Sequence, residues 1–393
     1  MRRQNPNPVV AIACGGTGGH LFPGIAVGEE LLNRGAGVLL LVSPKEIDQR
    51  VTSGLPDFDI ITLPAAPLDR GKLGAFFSGT LKSLRRCREL FRERKPDAVL
   101  AMGGFTSAPA VLAGWLRGAK TFLHEANTPA GRANRWLAHF IDEGFLYFPE
   151  AARRLSLRKA TTVGMPLRTQ FQPMDASSAR MALGLNPDRP VLLVMGGSQG
   201  AQGINDLVCG ALPQIVAREP KLQFIHLSGT RDADKVAAAY KAVSAKAITR
   251  PFLTEMEMAL GAASLAVSRS GASSLAEFAA MGLPAVLIPY PSAADNHQFF
   301  NARSFVESGA AVLREQRDAT PQSLGEVVLG LLADESGLAG MRQKMAGRHS
   351  PDAAARVAER ILSSLPQHRS ASTRSPVGSP AALPLGTREK NSR

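Results

Sequence analysis

Val9-Val10-Ala11-Ile12-Ala13-Cys14-Gly15-Gly16-Thr17-Gly18-Gly19-His20 is the stretch that decides the fold. An apolar run enters a glycine turn, and a helix-like segment follows from near Pro23. Glycines let backbone N–H groups approach a phosphate, and the N-terminus of the following helix favours negative charge. The second half repeats the pattern: Val191-Leu192-Leu193-Val194-Met195 runs into Gly196-Gly197-Ser198-Gln199-Gly200. Two strand–turn–helix units predict two α/β domains facing one central cleft.

The rest of the chain agrees. Short apolar runs at 9–13, 38–42, 60–63, 98–102 and 121–124 alternate with helix-like stretches. They resume at 191–195, 222–227, 247–248, 265–268 and 285–289. Such alternation predicts parallel sheets buried on both faces. Val163-Gly164-Met165-Pro166 reads as the last strand of the first domain running into a linker, and residues 351–365 as a final helix. From 366 to 393 the Ser-, Pro- and Arg-rich composition predicts disorder.

A chain of 393 residues is comfortable for two domains, and 45% hydrophobic content fills ordinary cores. The net charge of +13 is uneven. Residues 1–165 carry 22 Lys and Arg against 14 Asp and Glu, whereas residues 166–365 carry 19 against 18. The basic half points to an acidic ligand or surface for the first domain. Cys14, Cys87 and Cys209 are too far apart in sequence for a CxxC site, which argues against zinc and a disulfide framework. No apolar run reaches membrane-spanning length, and Arg2-Arg3 leads into the first strand without the apolar segment of a signal peptide.

The first glycine turn is neither a dinucleotide fingerprint nor a P-loop: the spacing fails, and Ser43-Pro44-Lys45 follows the second strand where an acidic residue would stand. A diphosphate site of another kind remains, beside the plain alternative of close helix packing. His20 closes that turn, where a helix dipole disfavours the imidazolium; proton acceptor and phosphate ligand are equal alternatives for it. Met102-Gly103-Gly104-Phe105 and His124-Glu125-Ala126-Asn127 fall at strand ends, where open α/β sheets bind ligands. Ser268-Arg269-Ser270-Gly271 leads into Ala272, Ser273, Ser274, Leu275, Ala276 and Glu277. Glu277, placed in the first helical turn, either accepts ribose hydroxyls or stabilises the dipole. The cluster 295–298, ending in Gln298, suits sugar hydroxyls. Asp57-Phe58-Asp59 and Asp232-Ala233-Asp234 read as solvated acids, so no metal is expected. Residues 70–95 combine Arg70, Lys72, Lys82, Arg85, Arg86, Arg88, Arg92, Arg94 and Lys95 with interleaved apolar residues. Gly74-Ala75-Phe76-Phe77 reads there as a loop tip. This segment is the expected contact with an anionic membrane surface.

Together these motifs resemble the MurG family of peptidoglycan N-acetylglucosaminyltransferases over about residues 8–362. The family's GGTGGHxFPG pattern matches from Gly15, its GMGG turn matches with Ala101 replacing the first glycine, and its HEQN matches with Ala126 replacing Gln. GGSQGA matches from Gly196, and RSGAxxxxE matches Arg269 to Glu277. The resemblance implies a GT-B fold of two Rossmann-like domains, at 1–165 and 166–350. The helix at about 351–365 would return to the first, an acceptor- and membrane-facing domain. It implies inverting, metal- and cofactor-free transfer of N-acetylglucosamine from UDP-N-acetylglucosamine to lipid I, forming lipid II in peptidoglycan synthesis. The implied base is His20. Implied donor contacts are Thr17, Gly18, Gly19, Asn127, Arg168, Ser198, Leu253, Ala272 through Glu277 (Ser273, Ser274, Leu275 and Ala276 between them) and Gln298. Glu277 would take the ribose. His297 and Met165 depart from the family pattern. Implied partners are lipid I, the anionic cytoplasmic face of the inner membrane, and cell-wall and division proteins; nucleic acid is not among them. The open alternatives are another GT-B enzyme, such as a glycolipid synthase or a sugar-nucleotide 2-epimerase, and a sugar-nucleotide sensor.

Overall fold

The computed structural model describes residues 7–64, 73–197 and 201–366. Seven strands form one parallel sheet: β1 (Val9–Ala13), β2 (Gly37–Val42), β3 (Asp59–Thr62), β4 (Ala98–Ala101), β5 (Lys120–Glu125), β6 (Glu143–Leu146) and β7 (Ala160–Thr162). Their order is β3-β2-β1-β4-β5-β6-β7. Six more form a second parallel sheet: β8 (Val191–Met195), β9 (Gln223–Leu227), β10 (Ala247–Arg250), β11 (Leu265–Ser268), β12 (Ala285–Leu287) and β13 (Ala311–Leu313). Their order is β10-β9-β8-β11-β12-β13. In both sheets the order reverses beside the strand that feeds a glycine turn, β1 and β8. That reversal opens a crevice at the strands' carboxyl ends, where open α/β sheets bind ligands.

Helices cover both faces, so the central strands are buried throughout; every residue of β8 and β11 is buried. The final helix, Ala353–Ser364, closes the first domain. Its Val357, Ala358 and Ile361 share a core with Val10 and Ile12 of β1 and with Leu21 and Ile25 of the helix Gly18–Asn33. Arg360 Nε donates to Glu143 Oε1 at 2.6 Å, and Arg356 donates to the Thr162 carbonyl at 3.0 Å. Burial pushes the Glu143 carboxyl up, but hydrogen bonds from Arg360, Lys159 and Thr161 outweigh it and hold the group below its ordinary range.

Several boundaries differ from the sequence expectation. The first helix begins at Gly18, not near Pro23, so Gly18, Gly19 and His20 form its first turn. β7 ends at Thr162, not within 163–166: Val163 and Gly164 both donate to the Leu146 carbonyl, which ends the ladder. Gly74 through Phe77 lie inside the helix Leu73–Arg94 and form no loop tip. β6 and β13 carry no strong strand signal. Glu143 and Gly144 interrupt β6, and pairing with Arg360, Lys159 and Thr161 makes a buried glutamate tolerable there. The tail from 367 onward lies outside the described residues.

Candidate active site

Three turns interlock at the carboxyl end of the first sheet. The Thr17 carbonyl accepts from the N–H groups of His20 and Leu21, starting the helix. Gly18 and Gly19 open that helix, so their N–H groups have no carbonyl one turn back within it. Thr17 Oγ1 and His20 Nδ1 are hydrogen-bonded at 3.2 Å. The His20 ring lies against the Gly103–Gly104 turn. Both glycines have positive φ, +105° and +78°, and a side chain on Gly103 would meet His20 Nε2 at 2.8 Å. The second glycine motif therefore makes room for the first motif's histidine. Burial lowers the His20 pKa to about 4, with Asp48 opposing and Lys45 assisting the shift. At neutral pH the ring is uncharged and can accept a proton.

His124 and Glu125 do not enter the cleft; they hold the loop that follows them. His124 Nε2 donates to the Gly164 carbonyl at 3.0 Å, and burial pushes its pKa down to about 4. The buried Glu125 accepts from Asn127 N–H, Gly131 N–H and Asn134 Nδ2 at 2.8–2.9 Å. This loop meets the second domain. Asn301, wholly buried, accepts from Thr128 N–H at 2.9 Å and donates to Asn127 Oδ1 at 3.1 Å. Its amide also donates to the Ser270 carbonyl at 3.3 Å. Arg132 and Arg135 both pair with Asp295, at 3.0 and 2.7 Å.

From the second domain, Gly271 caps the helix Ala272–Met281, whose first turn contains Ala272, Ser273 and Ser274. Ser273 faces the first turn so closely that a Cβ on Gly19 would stand 3.4 Å from its hydroxyl. Glu277 is the sixth residue of this helix, in its second turn rather than its first. The dipole explanation for Glu277 therefore fails, since that effect fades beyond the first turn. Burial raises the Glu277 pKa to about 7, opposed by Arg168 and reinforced by Glu257. Arg168 stacks on Phe22 at 4.2 Å and Phe171 at 5.1 Å, and its buried Nε has no protein partner. Gln298 is oriented through its Oε1, which accepts from Tyr290 N–H at 2.9 Å. Leu253 is half-buried beside this core, and Leu275 and Ala276 are buried in it. Ser198 lies outside the described residues.

The departures from the family pattern are largely structural. Ala126 and Met165 are buried in an apolar cluster that draws on both domains, and His297 Nδ1 donates to the Ala294 carbonyl at 2.8 Å. Arg269 is a buried clasp: it donates to the carbonyls of Ile288 and Pro289 and to Gln316. Asp232 accepts from Asn205 at 2.7 Å, and among the described residues no three His, Cys, Asp or Glu side chains are grouped as a metal site. Sequence reasoning missed Asp48, Lys45 and Asn301. Asp48 carried one available signal, an acid shortly after the second strand, but it turns back into the glycine turn instead of outward to a ribose.

Two family models match the chain: the glycosyltransferase family 28 N-terminal domain over residues 10–145 and the C-terminal domain over residues 191–357. A UDP-N-acetylglucosamine–N-acetylmuramyl-(pentapeptide) pyrophosphoryl-undecaprenol N-acetylglucosamine transferase of Anaeromyxobacter sp. (strain Fw109-5) is 36% identical, over 88% of this chain and 91% of its own. The like-named protein of Syntrophus aciditrophicus (strain SB) is 38% identical, over 86% and 93%. Among solved structures, Acinetobacter baumannii MurG superposes with a TM-score of 0.73 at 28% identity, covering 91% of this chain and all of that one.

Proposed function

We infer that this chain, which belongs to the MurG family within glycosyltransferase family 28, transfers N-acetylglucosamine from UDP-N-acetylglucosamine to the N-acetylmuramyl C4 hydroxyl of lipid I, forming lipid II. The observation that carries this reading at the site is the uncharged His20 in the first turn of one domain, where Gly19 closely faces Ser273 of the other. With Nδ1–H donating to Thr17 Oγ1, Nε2 keeps its lone pair and takes the proton of the attacking hydroxyl. That hydroxyl oxygen bonds to the anomeric carbon from the face opposite UDP, which inverts the centre as the glycosidic bond to UDP breaks.

The departing diphosphate gains charge in the transition state. The open N–H groups of Ala272, Ser273 and Ser274 are the donors we assign to it, with Arg168 and Ser198 assigned to the same anion. Glu277 takes the ribose hydroxyls, and Asn127, Leu253 and Gln298 frame the rest of the donor. Thr17, Gly18 and Gly19 bring the opposing anion turn toward the sugar and the acceptor diphosphate.

The acceptor is a lipid, so the first domain meets a membrane surface. Among the described residues no helix is long and apolar enough to cross a membrane. Among the described residues of this domain, the apolar side chains Leu81, Trp115, Leu116 and Trp136 are each about half exposed or more. Trp115 and Trp136 both pack on Phe140, at 5.2 and 5.3 Å. Exposed Lys82, Arg85, Arg86 and Arg117 accompany them. This aromatic cluster, absent from the sequence expectation, is the apolar part of the face we assign to the anionic leaflet at the cytoplasmic side.

The test is His20→Ala. Turnover with UDP-N-acetylglucosamine and a lipid I analogue should fall about 10²–10⁴-fold, while UDP affinity measured by calorimetry stays unchanged. A raised donor KM with intact kcat makes His20 a binding residue instead.

A further inference from the structure

The residues after β2 hold the first glycine turn from both sides, and the transfer described above does not use them. Asp48 is fully buried on the short helix Glu46–Thr52. Its Oδ2 accepts from Gly16 N–H at 2.7 Å, from Ser43 N–H at 3.0 Å and from the Ser43 hydroxyl at 2.5 Å. Its Oδ1 is buried without any hydrogen-bond partner. Lys45 Nζ donates to the Gly16 carbonyl at 2.7 Å and lies 5.5 Å over the Phe105 ring, which in turn packs against Gly16. One acid and one base thus grip the N–H and the C=O of the same glycine.

We propose that Asp48 and Lys45 are positioning residues for the transfer: their clamp on Gly16 sets the turn so that Thr17, Gly18 and Gly19 face the substrates and His20 is held in place at its end. The proposal rests on the base role assigned to His20. A buried carboxylate oxygen with no partner is costly to keep for packing alone. Oδ2 alone serves the turn, taking all three of these hydrogen bonds. The charged and titratable groups acting on His20 are Asp48, which favours its protonation, Lys45, which opposes it, and His124 at the end of β5. The Gly103–Gly104 turn across the ring contributes no charge.

The experiment compares Asp48→Asn, Lys45→Met, Lys45→Arg and His20→Ala in the full chain. It records kcat and KM, UDP affinity, and the NMR titration of the His20 ring in enzyme without substrate. Asp48→Asn and Lys45→Met should each lower kcat about 10- to 100-fold, as loss of an orienting partner does, at unchanged UDP affinity. The His20 titration should move down in Asp48→Asn and up in Lys45→Met, and Lys45→Arg should restore both. Wild-type kcat in either variant overturns the proposal, and so does a titration shift of the same sign in both. If Asp48→Asn does not fold, Lys45→Met and its Arg rescue decide alone. Undiminished turnover in His20→Ala removes the base role instead, while the opposed titration shifts still report on the clamp.

Discussion

Glu277 and His20 show how a single residue takes its chemistry from its surroundings rather than from its type. Both are shifted chiefly by burial, but toward opposite proton affinities. A neutral His20 is required for proton acceptance, so its low pKa leaves it competent down to about pH 4. In the proposed ribose role Glu277 must be ionised to accept two hydroxyls, and burial pushes its pKa up to about 7. Donor affinity should therefore rise with pH through that value and level off above it. UDP-N-acetylglucosamine is the right probe, because its diphosphate stays ionised throughout. Calorimetric titration at closely spaced pH values checks this, and in Glu277→Gln the affinity should be weak and flat with pH. A flat profile in the unmodified protein would remove Glu277 from the ribose.

At the scale of elements, the join between the domains depends on side chains rather than on shared strands. Asn301 uses one oxygen as acceptor and its N–H₂ group as donor, all buried. Asn301→Asp keeps the shape but sets a carboxylate oxygen against the oxygens of Asn127 and Ser270. An uncompensated buried charge typically costs about 3–5 kcal/mol. The urea midpoint should fall, and the donor KM should rise as Asn127 loses its hold; Asn301→Ala should be milder on both. The last helix is the second test. Ile361 is fully buried in the core under β1. Ile361→Ala should cost about 2–5 kcal/mol of unfolding free energy and should release the helix from the first domain. Equilibrium unfolding followed by hydrogen exchange of the Gly18–Asn33 helix measures both.

For the whole molecule, the uneven charge and the exposed aromatics are the two features behind the membrane-facing side proposed for the first domain. Basic residues near an anionic surface contribute roughly 1 kcal/mol each and are screened by salt; inserted aromatics add a part that salt does not remove. Trp115→Ser with Trp136→Ser should therefore reduce binding to vesicles containing anionic lipid even at high salt. Charge reversal at Arg85 and Arg86 should remove mainly the salt-sensitive part. Transfer to a water-soluble acceptor should survive both sets of changes. Co-sedimentation at two salt concentrations separates the two contributions, and undiminished binding in both variants would move the membrane face elsewhere.

The sequence by itself determined the two-domain parallel α/β architecture and the glycine turns at its strand ends. Apolar runs such as Val9–Ala13, Val191–Met195 and Leu265–Ser268 are strands at those very limits, because a strand buried on both faces must be apolar at nearly every position. Glycine turns were legible for a similar reason: positive φ and close approach leave glycine as the favoured residue. What the sequence could not decide depends on partners far away in the chain. Glu143 is held in its strand by Lys159 and Thr161 nearby and by Arg360, which arrives from the last helix. Gly103 and Gly104 are required by the ring of His20. Glu277 left the helix start, and Asp48 turned inward to Gly16, through backbone geometry that spacing alone does not fix. Asn301 carries no local pattern, since its three partners come from two loops brought together only when the domains meet. Local physics wrote the elements; the pairing of buried polar groups across the fold, which must find partners wherever they lie, was settled by tertiary structure alone.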